Sequence, residues 1–151
     1  MKLALLSIVL MLLITSCQNS KKVAESALPR FKELDTFLLG QNCDRKDIIN
    51  FAVKLQKTYD ETRNEKIKTD EEYKKLIYDV CKNGSQTFKD VSFIEQKFSN
   101  TQEKDVYKIQ SIYSASFMRD KKVLVKFEYE IGVKGKEIKL LKHNLSITDY
   151  K

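Results

Sequence analysis

The sequence contains one histidine, one proline, four glycines and no tryptophan among its 151 residues. Because His143 is the sole histidine, the chain cannot build a two-histidine zinc site or a His-rich metal site. The glycines form neither a phosphate-binding loop nor the Gly-x-Ser-x-Gly elbow of serine hydrolases. We therefore expect no metal and no other cofactor, and no motif in the sequence indicates a particular reaction.

The N-terminus carries the most specific pattern in the chain. An apolar run from Leu3 to Ile14 follows the positively charged Lys2. Its length is typical of a secretory signal peptide, because a membrane-spanning helix needs about 20 apolar residues. The last part of this segment, Ile14-Thr15-Ser16-Cys17, resembles the lipobox of bacterial lipoproteins. That resemblance implies removal of residues 1–16 and lipidation of Cys17; the alternative is an ordinary secretory signal with a free cysteine nearby.

Lipidation would place the mature protein in the bacterial cell envelope, on the outer or the cytoplasmic membrane, with its domain outside the cytoplasm. Two or three acyl chains anchor a protein durably, since each buried methylene contributes about 0.8 kcal/mol. The net charge of +7 is consistent with an interaction with anionic lipid or with an anionic envelope polymer. The alternative is a lysine-rich surface that is simply well solvated. No basic run alternates with aromatic residues, so nucleic acid is not an expected partner.

Hydrophobic periodicity predicts three helices in the first part of the domain. Residues 17–25 are mostly polar and predict a lipidated, flexible tether, followed by a single domain over residues 26–151. Helix one is expected over residues 27–39, with Ser26 as its N-cap, and helix two begins at the cap Asp44. Helix three begins at a capping box formed by Thr69 and Glu72 and ends at Asn83-Gly84. Its predicted buried stripe is Tyr73, Leu76, Ile77, Val80 and Cys81.

After Gly84 the period changes from 3.6 to 2, which predicts four strands joined by short loops. Such loops favour an antiparallel meander. The apolar residues of the fourth strand change parity between Leu140 and Leu141, which predicts a β-bulge. Helices first and strands afterwards indicate an α+β fold, with the N-terminal helices packed on a curved four-stranded antiparallel sheet.

This order of elements resembles the cone fold of the nuclear transport factor 2-like family. The resemblance also rests on the helix-one phrase Leu28-Pro29-Arg30-Phe31 through Phe37-Leu38-Leu39-Gly40. The chain departs from the common pattern of that family because no tryptophan stands near the end of the last strand. A cystatin-like arrangement, in which a meander grips one main helix, is the second interpretation.

A cone fold implies an apolar pocket, for which the sequence offers aromatic residues on strands two and three. The expected lining residues are Tyr107, Tyr113, Phe127 and Tyr129, with His143 on the same face as Leu141, Leu145 and Ile147. The alternative is that these rings simply form the core. Enzymes of the cone fold usually place an Asp or Glu beside a His or Tyr. Asp105 and Asp149 are candidates, but the sequence does not place either one near His143.

Two cysteines remain in the mature domain, Cys43 and Cys81. An even pair in an exported chain favours a disulfide. If helix two ends near Tyr59, the end of helix three lies beside Cys43 and a bridge can form. If helix two continues to Asn64, Cys81 lies too far from Cys43. The alternative is then two buried free thiols.

Three classes of function remain open. The first is a non-enzymatic binding domain for a partner protein, an envelope polymer or an apolar small molecule. The second is an immunity or inhibitor lipoprotein against an exported toxin or wall hydrolase, although positive charge argues against an inhibitor of a basic lysozyme. The third is a small pocket enzyme of isomerase or dehydratase type, which would need a carboxylate within hydrogen-bond distance of His143. Enzymatic activity is not expected, and no catalytic residue is assigned.

Overall fold

The computed structural model describes residues 19–150 of the chain. The signal peptide predicted over residues 1–16 and the lipidation site Cys17 lie outside the described residues, so both stay predictions. None of the helices in residues 19–150 combines the length and the apolar character needed to cross a membrane.

Three helices are followed by four strands. The helices are α1 (Leu28–Leu38), α2 (Lys46–Thr62) and α3 (Asp70–Thr87), and the strands are β1 (Phe88–Asn100), β2 (Val106–Phe117), β3 (Lys121–Lys134) and β4 (Glu137–Asp149). The strands form one antiparallel sheet in the order β1-β2-β3-β4, so β1 and β4 are its edges. The predicted α+β fold and the predicted meander are therefore confirmed.

The core lies between the helices and one face of the sheet. Every second residue of β3, from Val123 to Val133, is buried, while most residues between them are partly exposed. The bulge predicted in β4 is also present, because Leu141 is an extra residue between the pairs Ile131–Leu140 and Glu130–Lys142. After this bulge His143, Leu145 and Ile147 pair with buried residues of β3 and share their face of the sheet.

Helix α3 continues beyond its predicted end at Asn83-Gly84 and runs to Thr87. Gly84 is buried where α3 crosses the end of α1. A β-carbon at this position would lie 2.9 Å from the backbone nitrogen of Gly40, which is closer than two such atoms normally approach. Gly84 therefore allows the backbones of α1 and α3 to come into contact. The sequence had suggested that Gly84 ends the helix, and this was wrong.

A disulfide joins Cys43 and Cys81, whose Cα atoms are 5.7 Å apart. The sequence argument allowed this bridge only if α2 ended near Tyr59, yet α2 continues beyond that residue. The bridge forms because the connecting segment turns back along α2, and Asp70 at the start of α3 makes an ion pair with Lys57. Closing a loop of this size stabilises the folded state by about 4 kcal/mol in the chain-entropy account.

The segment before α1 differs most from its prediction. Residues 19–26 are helical, so the tether predicted over residues 17–25 was wrong from residue 19 onwards. Ser20, Ala24 and Ala27 are buried and lie at helical spacing, so they form a narrow stripe of small residues. The Ser20 hydroxyl lies 2.6 Å from the Asp105 carboxylate and 2.7 Å from the Tyr107 hydroxyl. The segment docks mainly through small residues, with Val23 partly buried against the core, and its polar composition therefore indicated a tether.

Helix caps were predicted with mixed success. The capping box of Thr69 and Glu72 is confirmed, with both reciprocal hydrogen bonds present. The N-cap predictions at Ser26 and Asp44 were wrong, because Ala27 and Arg45 occupy those positions and neither side chain caps its helix. The N-caps of α1 and α2 therefore lie one residue later than predicted, whereas that of α3 lies where it was predicted.

Candidate functional site

A groove runs between α3 and the helix-facing side of β3 and β4. It consists of two cavities of ≈ 360 Å³ and ≈ 310 Å³. The two cavities share Leu38, Val80, Tyr129 and His143 as lining residues, so they adjoin. We call this feature the α3 groove and define it by the residues that line either cavity. Both volumes fall in the range of about 300–1,000 Å³ that is usual for small-molecule sites.

The groove exists because α3 is held against the other helices rather than against the sheet. At its start, Asp70 pairs with Lys57 of α2. In its middle, Cys81 is bonded to Cys43, and near its end Gly84 contacts the backbone at the end of α1. These contacts hold α3 against α1 and α2, so it does not cover β3 and β4 here.

The walls of the α3 groove are apolar and partly open to solvent. Leu76 and Val80 lie one helical turn apart on α3 and are 49% and 48% exposed. Across the groove, Leu145 of β4 is 46% exposed. Burying apolar surface stabilises by roughly 25 cal/mol per Å², so leaving these side chains in water forgoes stability. Neighbouring exposed apolar side chains around a concave surface are typical of a binding site.

Polar side chains close one end of the groove. Asp60 is 2% exposed and accepts hydrogen bonds from the Tyr73 hydroxyl at 2.6 Å and the Gln56 amide at 2.8 Å. The Lys68 backbone N–H donates to the Tyr73 hydroxyl at 3.2 Å. Burial and the hydrogen bond to Asp60 raise the pKa of Tyr73, so its hydroxyl stays protonated at neutral pH. These groups satisfy one another, and therefore shape the groove without requiring a polar ligand.

His143 lies at the groove with its ring packed against Tyr59, at 4.8 Å between centroids. Burial lowers the pKa of His143, and nearby Arg63 lowers it further, so the imidazole is neutral at pH 7. No hydrogen bond joins it to a carboxylate within residues 19–150. The two carboxylates considered from the sequence lie elsewhere, since Asp105 binds Ser20 and Asp149 pairs with Lys121 at 2.7 Å.

Two of the four predicted aromatic lining residues border the groove. Tyr129 lines both cavities, and Phe127 lines the ≈ 310 Å³ cavity. Tyr107 and Tyr113, the other two, do not line the α3 groove; they lie in the core and are at most 5% exposed. The period-2 pattern shows which face a strand residue shares, but it does not show whether a helix covers that residue.

A buried carboxyl group lies directly behind the groove wall. Asp35 of α1 is fully buried and accepts hydrogen bonds from the hydroxyls of Tyr129 at 2.5 Å and Tyr113 at 3.1 Å. Burial raises the pKa of Asp35 to about 7, although the hydrogen bonds from the tyrosines act in the opposite direction. Burial also raises the pKa of Tyr129, so both hydroxyls remain donors. Asp35 thus holds the ring of Tyr129 in place.

Sequence reasoning treated the α3 wall residues as core. Leu76 and Val80 were assigned to the buried stripe, but only Tyr73, Cys81 and Gly84 of α3 are fully buried. Apolar residues at 73, 76, 77, 80 and 81 have the spacing of an ordinary core-facing helix, so the sequence pattern carries no signal that separates Leu76 and Val80 from the buried residues. Asp35 was not singled out, although it interrupts the apolar stripe of helix one. Residues 19–150 contain no cluster of three or more His, Cys, Asp or Glu that could hold a metal ion.

Comparison of the chain with family models, with curated proteins and with solved structures gives no match.

Proposed function

We propose that the protein is a bacterial envelope lipoprotein, anchored through Cys17, whose domain binds an apolar small molecule in the α3 groove without transforming it. The observation that supports this best is the pair Leu76 and Val80, which line the ≈ 360 Å³ cavity of an apolar groove while both stay about half exposed. The lipobox resemblance of the leader supports the anchor.

The character of the groove favours an apolar small molecule over a polymer or a protein. A polysaccharide would need several polar groups free to hydrogen-bond, but Asp60, Gln56 and Tyr73 already bond to one another. A stable protein interface buries about 800 Å² on each partner, whereas this concave feature has the volume of a small-ligand site. An acyl chain or a ligand of one or two rings fits this shape and chemistry.

Binding can be tested with the apolar fluorescent probe 1-N-phenylnaphthylamine, whose emission rises on leaving water. We expect the wild-type protein to bind it and the variant Val80→Glu to bind about tenfold more weakly or worse, because a carboxylate would enter an apolar site. Fluorescence titration measures both dissociation constants.

Ile67→Glu is the matched control, since Ile67 is 43% exposed but does not line the groove. It should bind the probe as the wild type does. Equal affinities for the Val80→Glu and Ile67→Glu variants would show that the probe binds elsewhere, and no binding by the wild type would contradict the proposed function.

The anchor is tested separately by labelling cells with radioactive fatty acid. We expect the wild type to incorporate label and to fractionate with membranes, and the Cys17→Ala variant to do neither or to accumulate as an uncleaved precursor. A chain with both Cys43→Ala and Cys81→Ala should still be labelled, because its lipidation site is intact. Label on the Cys17→Ala protein would contradict lipidation at this residue.

A further inference from the structure

The outer edge of β4 is unprotected over its second half. At Leu140 the backbone N–H donates to the Thr58 hydroxyl of α2 at 3.0 Å, so a helix side chain satisfies the edge there. From Lys142 to Asp149, the outward-facing backbone N–H and C=O groups form no hydrogen bond with another element of the described residues. The six residues from His143 to Thr148 include no Asp, Glu, Lys or Arg.

The other edge of the sheet, β1, is protected in the usual ways. Its pairing with β2 is interrupted by two register irregularities, and it carries the charged residues Lys89, Asp90, Glu95 and Lys97. Bulges and charges prevent edge strands from pairing with other chains. In β4 the bulge at Leu141 and the charged residues lie outside the segment from His143 to Thr148, so this segment lacks both kinds of protection.

We propose that β4 pairs with β4 of a second copy of this chain, in antiparallel orientation, to form a dimer with one continuous eight-stranded sheet. The partner is a second copy because the strand is complementary to itself. When Ser146 lies opposite Ser146 of the other copy, Leu145 lies opposite Ile147, and His143 lies opposite Asp149, twice each. Opposite residues of antiparallel strands share a face, so all eight of these side chains point to the helix side.

The exposed side chains and the helices are compatible with this pairing. Leu145 and Ile147 are 46% and 40% exposed in the single chain, and cross-strand apolar pairing would cover both. The imidazole of His143 can donate to the Asp149 carboxylate across the junction. Helix α2 covers the Leu140 end of β4, so the α2 helices of the two copies lie at opposite ends of the paired strands.

Shifting the register by two residues loses this complementarity. If Leu145 lay opposite Leu145 of the other copy, His143 would face Ile147. If Ile147 lay opposite Ile147 of the other copy, Leu145 would face Asp149. Both arrangements place a polar group against an apolar one, which costs free energy. The complementary register therefore makes a definite geometric prediction about Ser146.

Cysteine crosslinking in the intact envelope tests that register on the full chain. With copper phenanthroline as oxidant, Ser146→Cys should give a disulfide-linked dimer on non-reducing gels, because the two β-carbons lie about 4.5–5.5 Å apart. Thr148→Cys is the matched control on the same strand and face. In the proposed register, residue 148 of one copy lies opposite residue 144 of the other. The two cysteines at position 148 would therefore be about 14 Å apart along the strands and should give little dimer.

Second-site variants test whether the β4 edge drives the association. Adding Ile147→Lys to the Ser146→Cys chain should reduce the crosslinked fraction about tenfold, since a lysine replaces one member of each apolar pair. Adding Ile94→Lys instead should leave the crosslinked fraction unchanged, because Ile94 is 46% exposed, against 40% for Ile147, but lies on β1. Both readouts are independent of probe binding and of fatty-acid labelling.

Three results would overturn the self-pairing: no covalent dimer from Ser146→Cys, equal dimer from Thr148→Cys, or crosslinking of Ser146→Cys to a different protein. A dimer that persists after Ile147→Lys would show that the copies meet through another surface.

Discussion

Asp35 places an ionisable carboxyl group at the contact between α1 and the sheet. Burial raises the pKa of Asp35 to about 7 in the folded protein, whereas an unfolded chain loses the proton near the ordinary pKa of 3.8. Between these two pH values the folded state holds one more proton than the unfolded state. The free energy of unfolding therefore falls as pH rises through this window, and it stays low above it.

Asp35→Asn removes this proton linkage. The amide keeps an acceptor for the Tyr129 hydroxyl and stays neutral at every pH. From pH 4.5 to pH 7.5 the wild type should lose about 3 kcal/mol of unfolding free energy relative to the variant. Urea unfolding of both proteins at the two pH values measures this difference.

Asp120→Asn provides a control, because Asp120 is exposed in the turn between β2 and β3. The difference in free energy of unfolding between the Asp120→Asn variant and the wild type should be the same at pH 4.5 and pH 7.5. If the Asp35→Asn protein follows the wild type in parallel, the carboxyl of Asp35 titrates alike in both states and the burial argument fails.

At the scale of elements, the crossing of α1 and α3 depends on Gly84. A methyl group there would meet the backbone of Leu38 and Gly40, and backbone atoms cannot move aside as a side chain can. Gly84→Ala should therefore destabilise the fold by about 1–3 kcal/mol, even though alanine favours a helix more than glycine does. Thermal or urea unfolding measures the change.

The neighbouring Asn83→Ala variant separates helix propensity from packing. Asn83 is exposed, so its replacement should be neutral or slightly stabilising. A Gly84→Ala protein as stable as the wild type would mean that α1 and α3 can separate at this point, and it would remove one of the contacts that hold the groove open.

The elements themselves could be predicted because each has a local cause. The alternation in β3, the capping box at Thr69 and the parity change after Leu140 all depend on residues close together in the chain. The end of α3 and the docking of residues 19–26 could not be predicted in this way. Gly84 is needed because the backbone of Gly40 packs against it, and Ser20 is buried because it contacts Asp105 and Tyr107. These partners are remote in sequence.

At the scale of the whole molecule, the α3 groove is the part that sequence reasoning could not place. Its aromatic floor was half predicted, through Phe127 and Tyr129, because the face of a strand residue follows from its parity. Its helical wall was not, because the position of α3 is set by the disulfide, the Asp70 ion pair and the Gly84 contact acting together. Half-exposed Leu76 and Val80 are the result of those distant constraints.

The docking of Ser20 also limits how far the domain can travel. With the proposed lipid on Cys17, only Gln18 and Asn19 separate the anchor from the buried contact of Ser20, and the three steps from Cys17 to Ser20 span at most about 11 Å. Ser20 touches Tyr107, whose β3 partner is Ile131, and Tyr129 of the groove lies two residues further along β3, about 7 Å. The groove would then stay within a few nanometres of the lipid headgroups. An apolar ligand would therefore cross only a short aqueous distance between the bilayer and the protein.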